Sequence, residues 1–577
     1  MSFDRNLCKV LVADDSRLVT SSVTAILRQL DLSDIYYAYK PFEVINLCKQ
    51  MHFDLVICDY NFQTQLNGFQ LLEELKHAQI LPAHTTFVFW TGENDHKIVR
   101  SIVDCDPDDY LLKPFNHTFF RNRLLSAMKR RSVLLPIYEK LREMDFEGVI
   151  EATDTLLPFH PEYSKLIRRY RAHAMVQNKQ FSSARSEYEK LLKEDNFDWI
   201  KTALANTLIE TDDLEKAQEV LESLSSKKEN PYYHDEMSNM AVLSEDIPKA
   251  IKHLKQSTML LDAGSERELV ITNLSLASES YDDAVTYIKR YYEKNENTFR
   301  GGIFTKLNFV RCHLYRSLNA PSNQCFENLL FGLNPLIGEI EKNSQFKAQF
   351  ALIDAHIALI RGDLKAAISQ VRAVLVSNQL SHFYDLYHLC VLLERCSFLS
   401  EMKSMLPRAR RAIAEAQHPS IFRSQVHMLK SLEVRLQESQ TKIEQIRRQI
   451  TAQKSISTSS ITPHFDRYFQ LHDLLPHSKK ICLAIVRLAS LRPFEYRGEY
   501  AIYRKLEHCD RVIRNLCDNR ELQSIKYNNM YQYAKQNITV SNGRINVFCL
   551  LVFCQSVFLH NFLIVKCFNG CRQHSKK

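Results

Sequence analysis

Short apolar runs that alternate with helical patterns organise residues 1–130 of the chain. Between the runs, apolar residues recur at helical spacing, as Val23, Leu27 and Leu30 do. Strands of this buried type that alternate with amphipathic helices predict a doubly wound parallel α/β sheet, (βα)5. The runs predicted as strands are Lys9–Ala13, Ile35–Ala38, Asp54–Cys58, Thr85–Trp90 and Asp109–Leu112.

Polar residues stand where several of these strands are predicted to end. Asp14 and Asp15 follow the first strand, Asp59 the third, Thr91 the fourth and Lys113 the fifth. The carboxyl ends of parallel strands line one crevice, and ligands bind there. Carboxylates gathered in such a place suit Mg²⁺, which combines a few carboxylates with phosphate oxygens. The sequence therefore predicts a site for Mg²⁺ and a phosphoryl group.

In type and order these residues resemble the receiver domain of two-component response regulators, over about the first 125 residues. The resemblance implies that Asp59 is the phosphoacceptor. It also implies that Asp15, Asp59 and the backbone carbonyl of Asn61 hold Mg²⁺ directly, with Asp14 acting through water. A domain of the same fold that is never phosphorylated, and serves only as a docking surface, remains an alternative.

The same resemblance assigns roles to the residues at the ends of the last two strands. Thr91 and Lys113 would contact the phosphoryl oxygens, and the Lys113–Pro114 peptide bond would be cis. Tyr110 and Pro114 would belong to the switch that follows a movement of Thr91. Two features depart from the family pattern: the loop after Asp59 lacks its usual Met-Pro and is longer, and the residue before Thr91 is a bulky tryptophan.

A different pattern, with a period near 34 residues, occupies residues 131–425. Alanines at 184, 217, 250 and 284 are 33, 33 and 34 residues apart. Small residues stand twelve positions before each of them: Ala172, Ala205, Ser238 and Thr272. This pattern resembles tetratricopeptide repeats in a degenerate form, and it predicts paired helices stacked into a solenoid that binds proteins or peptides. An irregular helical bundle is the alternative.

The remaining residues are predicted to be helical around one break. We expect one long exposed helix at 426–454, compatible with a short coiled coil, a linker at 455–463 and a helical region at 464–540. Residues 541–577 are apolar and rich in cysteine, and the stretch 547–565 has the length of a membrane span. A membrane anchor, a buried segment and a non-native extension all remain open for this tail.

Composition narrows the class of protein. Glycine accounts for 12 of the 577 residues, about 2% against a typical ~7%, which favours a mainly helical chain. The formal charge of +8 permits nucleic-acid binding without favouring it. The 15 cysteines form no regular framework and no secretory signal precedes them, so we expect reduced thiols and a cytoplasmic protein.

The sequence thus predicts a response regulator that is not an enzyme. A histidine kinase or phosphotransfer protein would phosphorylate Asp59 with Mg²⁺ as cofactor, and the repeats would act as an adaptor for a protein partner. Neither nucleic acid nor a membrane is expected as a partner, unless residues 547–565 anchor the tail. The alternatives are a transcriptional regulator with an unrecognised DNA-binding element in 426–536, and an enzymatic effector in the C-terminal third.

Overall fold

The computed structural model describes residues 8–540, except 65, 93–95, 115, 321–324, 414–417, 453–461 and 492–498. The tail at 541–577 and most of the expected linker therefore lie outside the described residues. The chain forms two compact units. Among the described residues, the first unit contains 8–347, 382–384 and 409–431, and the second contains 348–381, 385–408 and 432–540. Within the described part, no helix has both the length and the apolar character that a membrane span requires.

The first unit begins with a five-stranded parallel sheet in the order β2-β1-β3-β4-β5. This arrangement confirms the predicted doubly wound fold. Its elements, in chain order, are β1 (Lys9–Ala13), α1 (Arg17–Arg28), β2 (Asp34–Ala38), α2 (Pro41–Gln50), β3 (Leu55–Asp59), α3 (Gly68–His77), β4 (Thr86–Thr91), α4 (His96–Asp104), β5 (Asp109–Leu112) and α5 (His117–Val133).

Burial explains why the strands lack a polar face. All residues of β3 and β4 are buried, because helices cover both sides of a doubly wound sheet. One side packs around Val23, Leu27 and Phe120, and the other around Leu71 and Phe89. The helix α1 begins after Ser16, whose hydroxyl accepts a hydrogen bond from the backbone N–H of Val19 at 3.4 Å.

Consecutive helices that pack in pairs follow the sheet domain within the first unit. Their period is the one expected from the sequence. The helices are α6 (Leu135–Arg142), α7 (Phe146–Leu156), α8 (Ser164–Gln177), α9 (Phe181–Glu194), α10 (Asp198–Glu210), α11 (Leu214–Glu222), α12 (Pro231–Leu243), α13 (Ile247–Leu260), α14 (Glu266–Ala277), α15 (Tyr281–Asn295), α16 (Ile303–Asn319) and α17 (Phe326–Lys342).

The small residues of the repeat lie where the paired helices approach each other. Each of the four aligned alanines, at 184, 217, 250 and 284, is fully buried. The turn inside each pair also recurs, with a left-handed residue at Lys179, Asp212, Glu245 and Glu279. Glycine adopts this conformation most easily, so other residues there cost about 1 kcal/mol or more each. The same turn geometry therefore recurs in four successive pairs without a glycine.

Helices continue to the end of the described residues. They are α18 (Lys347–Arg361), α19 (Leu364–Ser377), α20 (Phe383–Arg395), α21 (Leu399–Arg411), α22 (Pro419–Ala452), α23 (Thr462–Leu474), α24 (Lys479–Leu491), α25 (Glu499–Leu516), α26 (Asn519–Ser524) and α27 (Tyr527–Val540). In the second unit, α22 to α27 share one apolar cluster with residues of α19.

The long helix α22 differs from its prediction in two respects. It begins at Pro419, before the expected residue 426, and one side of it is buried along much of its length. Leu429 and Leu432 are fully buried, and Ile443 lies in the apolar cluster of the second unit. Its apolar residues therefore pack against other helices of the same chain. A coiled coil shows a similar apolar spacing, so the spacing alone does not distinguish the two arrangements.

The start of α22 lies against the first helices of several repeat pairs. Ser420 Oγ donates a hydrogen bond to Asn239 Oδ1 at 2.9 Å, and Ser431 Oγ donates one to the carbonyl oxygen of Ala277 at 2.8 Å. Between them, Ile421 packs on the apolar cluster of α12 to α15. The chain's own helix therefore covers part of the face that the first helices of the repeats form.

Candidate functional site

Three carboxylates meet at the carboxyl edge of the sheet. Asp14 and Asp15 directly follow β1, and Asp59 is the last residue of β3. One oxygen from each lies within 4.8 Å of the other two. Since β1 and β3 are neighbouring parallel strands, the sheet alone brings these residues together. Asp14 and Asp59 are buried and Asp15 is exposed, so the cluster opens to solvent on one side.

Asp14 is held by three hydrogen-bond donors. Its Oδ1 accepts from the backbone N–H of Ser16 at 2.8 Å. Its Oδ2 accepts from the indole N–H of Trp90 at 2.9 Å and from Lys113 Nζ at 2.7 Å. A buried carboxylate is stable when its charge is paired and its oxygens are satisfied in this way. Asp14 is therefore a fixed part of the site.

Lys113 connects the two buried carboxylates. Its Nζ lies 2.7 Å from Asp14 Oδ2 and 3.2 Å from Asp59 Oδ2, and it sits 4.5 Å from the centre of the Trp90 ring. Asp59 Oδ1 also accepts a hydrogen bond from the backbone N–H of Tyr60 at 2.8 Å. Burial raises the pKa of Asp59 to about 6, Lys113 opposes this rise, and the Asp14 carboxylate adds to it.

The other residues expected at the site lie around this centre. Thr91 ends β4 and is fully buried, and its carbonyl oxygen accepts a hydrogen bond from the backbone N–H of Lys113 at 2.7 Å. The Lys113–Pro114 peptide bond is cis, as expected. Tyr110 lies on β5 and is half-buried against the apolar cluster of the sheet. Asn61 is exposed in the loop after β3.

The loop that follows Asp59 leads directly to a contact with the repeats. The backbone N–H of Gly68 donates to the carbonyl oxygen of Tyr60 at 2.7 Å, which closes the loop. Asn67 and Gln70 then form a capping box at the start of α3. The side-chain amide of Gln70 also donates to the carbonyl oxygen of Lys294, on α15, at 2.8 Å. One residue thus joins the loop after Asp59 to the repeats.

Further polar contacts surround the contact of Gln70 with Lys294, and together they form the joint between the receiver-like sheet domain and the repeats. The Arg300 guanidinium makes a two-point ion pair with Glu73 on α3, at 3.0 and 3.1 Å. The rings of His77 and Phe299 stack, with centroids 3.8 Å apart, and the backbone N–H of Phe299 donates to a carboxylate oxygen of Glu74. Two-point arginine–carboxylate pairs fix orientation as well as adding energy.

Apolar residues make the joint continuous with the core of the sheet domain. Leu261 and Ala263, in the segment between α13 and α14, are 1% and 3% exposed. Both belong to the apolar cluster that contains Leu72 and Phe69 of α3. The interface is thus part of the core on one side of the sheet, and a displacement of α3 would disturb it.

Two features of this site were not predicted from the sequence. Trp90 was expected only to be bulky, but its indole N–H binds Asp14 and its ring packs against Phe120. The alternation of side chains along β4 gives a weak signal for the orientation of Trp90 and none for its hydrogen bond. The contact through Gln70 joins residues 224 positions apart, and no local pattern signals such a contact.

Comparisons with known proteins agree with the two parts of the first unit. Residues 10–125 match the model of the response regulator receiver domain, and residues 175–238 match a tetratricopeptide repeat model.

Two solved structures are also similar to parts of the chain. One is RcsB from Salmonella enterica serovar Typhimurium bound to promoter P1flhDC, at 19% identity and a TM-score of 0.20, covering 30% of this chain and 92% of that chain. The other is the APC/C hetero-tetramer Cut9–Hcn1, at 10% identity and a TM-score of 0.40, covering 73% of this chain and 88% of that chain. Both TM-scores are below 0.5, so neither similarity indicates a function for this chain. Residues 10–125 are a response regulator receiver domain, and tetratricopeptide repeats follow it in the same chain.

Proposed function

We propose that Asp59 accepts a phosphoryl group from a histidine kinase or a phosphotransfer protein, and that this modification changes the contact between the receiver and the repeats. The observation that carries the proposal is the convergence of Asp14, Asp15 and Asp59 with the Lys113 ammonium at one edge of the sheet. Carboxylates crowded in this way repel one another unless cations balance them, which suits a site for phosphate chemistry.

The donor set fits Mg²⁺. This ion prefers a small number of oxygen ligands from the protein, with coordination positions left for phosphate oxygens. Asp15, Asp59 and the backbone carbonyl of Asn61 are the residues that would hold it. Asp14 would act indirectly, because three donors already occupy its oxygens. When bound, the ion supplies positive charge next to the phosphoryl oxygens.

Asp59 and the side chains around it have separate roles in the transfer of the phosphoryl group. An oxygen of the Asp59 carboxylate attacks the phosphorus atom, and the bond from phosphorus to the donor group breaks with its electron pair leaving on the donor. Lys113 balances charge on the phosphoryl oxygens, because its ammonium already lies 3.2 Å from the attacking carboxylate. The Thr91 hydroxyl donates a hydrogen bond to a phosphoryl oxygen. Catalysis here consists of positioning and electrostatics.

The consequence of phosphorylation would reach the repeats through the loop after Asp59. A phosphoryl group adds charge and new acceptor oxygens to the start of this loop. Gly68 closes the loop against Tyr60, and Gln70 connects its other end to Lys294. A movement of the loop would therefore weaken the contact of Gln70, and with it the neighbouring pair of Glu73 and Arg300. The repeats would then bind a protein partner differently.

The helix α22 gives this change a means of acting on a partner. Its first turns cover part of the first-helix face of the repeats, through Ser420, Ile421 and Ser431. Arrays of this kind bind partners on the surface that stacked repeats present. A partner that uses this face would have to displace the start of α22. The repeats would therefore bind such a partner more tightly once the contact between α22 and the repeats is loosened.

Replacement of Asp59 by asparagine is expected to abolish phosphorylation completely. The full-length protein is incubated with Mg²⁺ and acetyl phosphate, and its intact mass is recorded. The wild type should gain one labile phosphoryl group, while Asp59→Asn should gain none, because an amide is a poor nucleophile. Asp34→Asn is the matched control, since Asp34 begins β2 at the opposite edge of the sheet, and it should behave as the wild type.

Two outcomes would contradict the proposal. One is a phosphoryl adduct on Asp59→Asn equal to that on the wild type, which would place the acceptor elsewhere. The other is a folded wild type that gains no adduct from acetyl phosphate or from any histidine kinase tested with it. The receiver would then be a docking surface only.

A further inference from the structure

A buried group of sulfur and nitrogen ligands lies in the second unit, far along the sequence from the receiver. Its members are His472 on α23, Cys482 on α24 and Cys509 on α25. One ligand atom from each residue lies within 4.8 Å of the other two. All three residues are buried, with exposed fractions of 6%, 0% and 0%. Three separate helices thus direct metal-binding side chains to one point in the interior.

A second histidine contacts this group from outside it. His508 precedes Cys509 on α25, and its Nδ1 lies 3.0 Å from Nε2 of His472. This contact leaves Nδ1 of His472 as the nitrogen that can share an ion with the two thiols. The ligand atoms of a tetrahedral zinc ion are about 3.3 to 3.8 Å apart, as zinc–nitrogen and zinc–sulfur distances require. Small rotations of the side chains would therefore bring one nitrogen and two sulfurs around a shared ion.

The protein itself leaves part of this group unsatisfied. Nδ1 of His472 is buried and makes no hydrogen bond within the described residues. The carboxylate oxygen of Asp473 is 3.9 Å away from this atom, which is beyond hydrogen-bonding distance. Buried polar atoms in proteins are nearly always paired. A cation bound to Nδ1 would provide the missing interaction and would leave the contact of Nε2 with His508 in place.

His477 is the other histidine in this region. Its ring centre lies 5.6 Å from that of His508. Its Nδ1 contacts the carbonyl oxygen of Arg395 at 2.6 Å, so this histidine is already fixed to the backbone of α20. We place it beside the ligand set and outside it.

We propose that His472, through Nδ1, and the thiolates of Cys482 and Cys509 bind a zinc ion. Thiolate and imidazole ligands in a tetrahedral arrangement select zinc among the common divalent ions. His508 would hold the His472 imidazole in place through Nε2. The ion would take its fourth ligand from water. It would tie α23, α24 and α25 together within the apolar cluster that includes Ile485 and Ile513. The free energy of zinc binding would thereby stabilise the fold of this region.

The competing explanation is that the cysteines are ordinary core residues or form a disulfide bond. Both thiols lie among apolar side chains, where free cysteine is common. Core packing alone does not account for a buried imidazole nitrogen that lacks a hydrogen bond beside two thiols. A disulfide bond between Cys482 and Cys509 would leave this nitrogen without a partner, and it would exclude zinc.

The metal content of the full chain tests the proposal. An untagged protein is purified under reducing conditions without chelators, and its zinc is measured by mass spectrometry. The protein is then stripped and refilled with cobalt(II), whose visible spectrum distinguishes tetrahedral thiolate coordination. We expect stoichiometric zinc and a tetrahedral cobalt spectrum for the wild type. Cys482→Ser and Cys509→Ser should each lose both signals.

Cys396→Ser and Cys517→Ser are matched controls. Both cysteines belong to the same apolar cluster as the ligands, and neither belongs to the proposed set, so both variants should retain zinc. Three results would overturn the proposal: a wild type that takes up neither zinc nor cobalt, zinc retained by Cys482→Ser, or a Cys482–Cys509 disulfide found in protein trapped with N-ethylmaleimide. The wild-type cobalt spectrum decides the matter even where a variant fails to fold.

Discussion

Lys113→Met is expected to slow phosphorylation of Asp59 by about 100-fold or more, the range seen when one charge-stabilising donor is removed from an active site. The substitution keeps much of the side chain's length and removes its charge. Lys113 is the cation that contacts both Asp14 and Asp59, so its loss leaves the developing charge on the phosphoryl oxygens without this partner. The rate of adduct formation with acetyl phosphate and Mg²⁺ measures the effect.

The pKa of Asp59 adds a second expectation to the same variant. Burial raises this pKa to about 6, and Lys113 lowers it. Without the ammonium the pKa should rise, so less of the nucleophilic carboxylate is present near neutral pH. The defect of Lys113→Met should therefore shrink as the pH is raised. Lys49→Met is the matched control, because Lys49 is an exposed residue in the last turn of α2. Equal rates for Lys113→Met and the wild type would refute the role given to Lys113.

Gly68→Ala is expected to destabilise the receiver by about 3 kcal/mol, the upper end of the usual range for overpacking. A Cβ atom at this position would lie 2.6 Å from the carbonyl oxygen of Asp59 and 2.9 Å from Cα of Tyr60. Both neighbours are backbone atoms at the end of β3 and just after it, so neither can move without disturbing the site. The variant should therefore lose stability and phosphorylate slowly.

Tryptophan fluorescence can follow this loss in the receiver alone. The chain has two tryptophans: Trp90 is buried in the receiver, and Trp199 lies on α10 of the repeats. In a Trp199→Phe background, the urea-induced change of Trp90 reports unfolding of the receiver. Gly92→Ala is the matched control, because nothing lies within 4 Å of its added Cβ. A midpoint for Gly68→Ala equal to that of Gly92→Ala would contradict the argument.

The receiver could be predicted from the sequence because its chemistry is tied to strand ends. A parallel sheet brings Asp14, Asp59 and Thr91 to one edge whatever lies between them in the chain. The repeats were predictable for a similar reason. Close approach of paired helices demands small residues at a fixed period, and Ala184 and Ala217 are fully buried where that period places them.

Contacts between distant segments could not be predicted in this way. The hydrogen bond from Gln70 to Lys294 and the burial of Leu261 in the receiver core depend on how the two domains meet. The helix expected at 426–454 is present, but its buried side was not predicted, because apolar spacing does not identify the surface that a helix contacts. His472 and Cys509 meet only after three helices pack, and their separation in sequence matches no common zinc motif.

The central claim is that a phosphoryl group on Asp59 loosens the joint between the receiver and the repeats. Hydrogen exchange of the full-length protein, followed by mass spectrometry, tests it most directly. The informative peptides cover residues 294–300, which contain Lys294, Phe299 and Arg300. We expect faster exchange there in the phosphorylated wild type, because the contacts with Gln70, Glu73 and Glu74 weaken. Asp59→Asn under the same conditions should show no change. Identical exchange of this segment before and after phosphorylation, in protein whose intact mass confirms the adduct, would contradict the account.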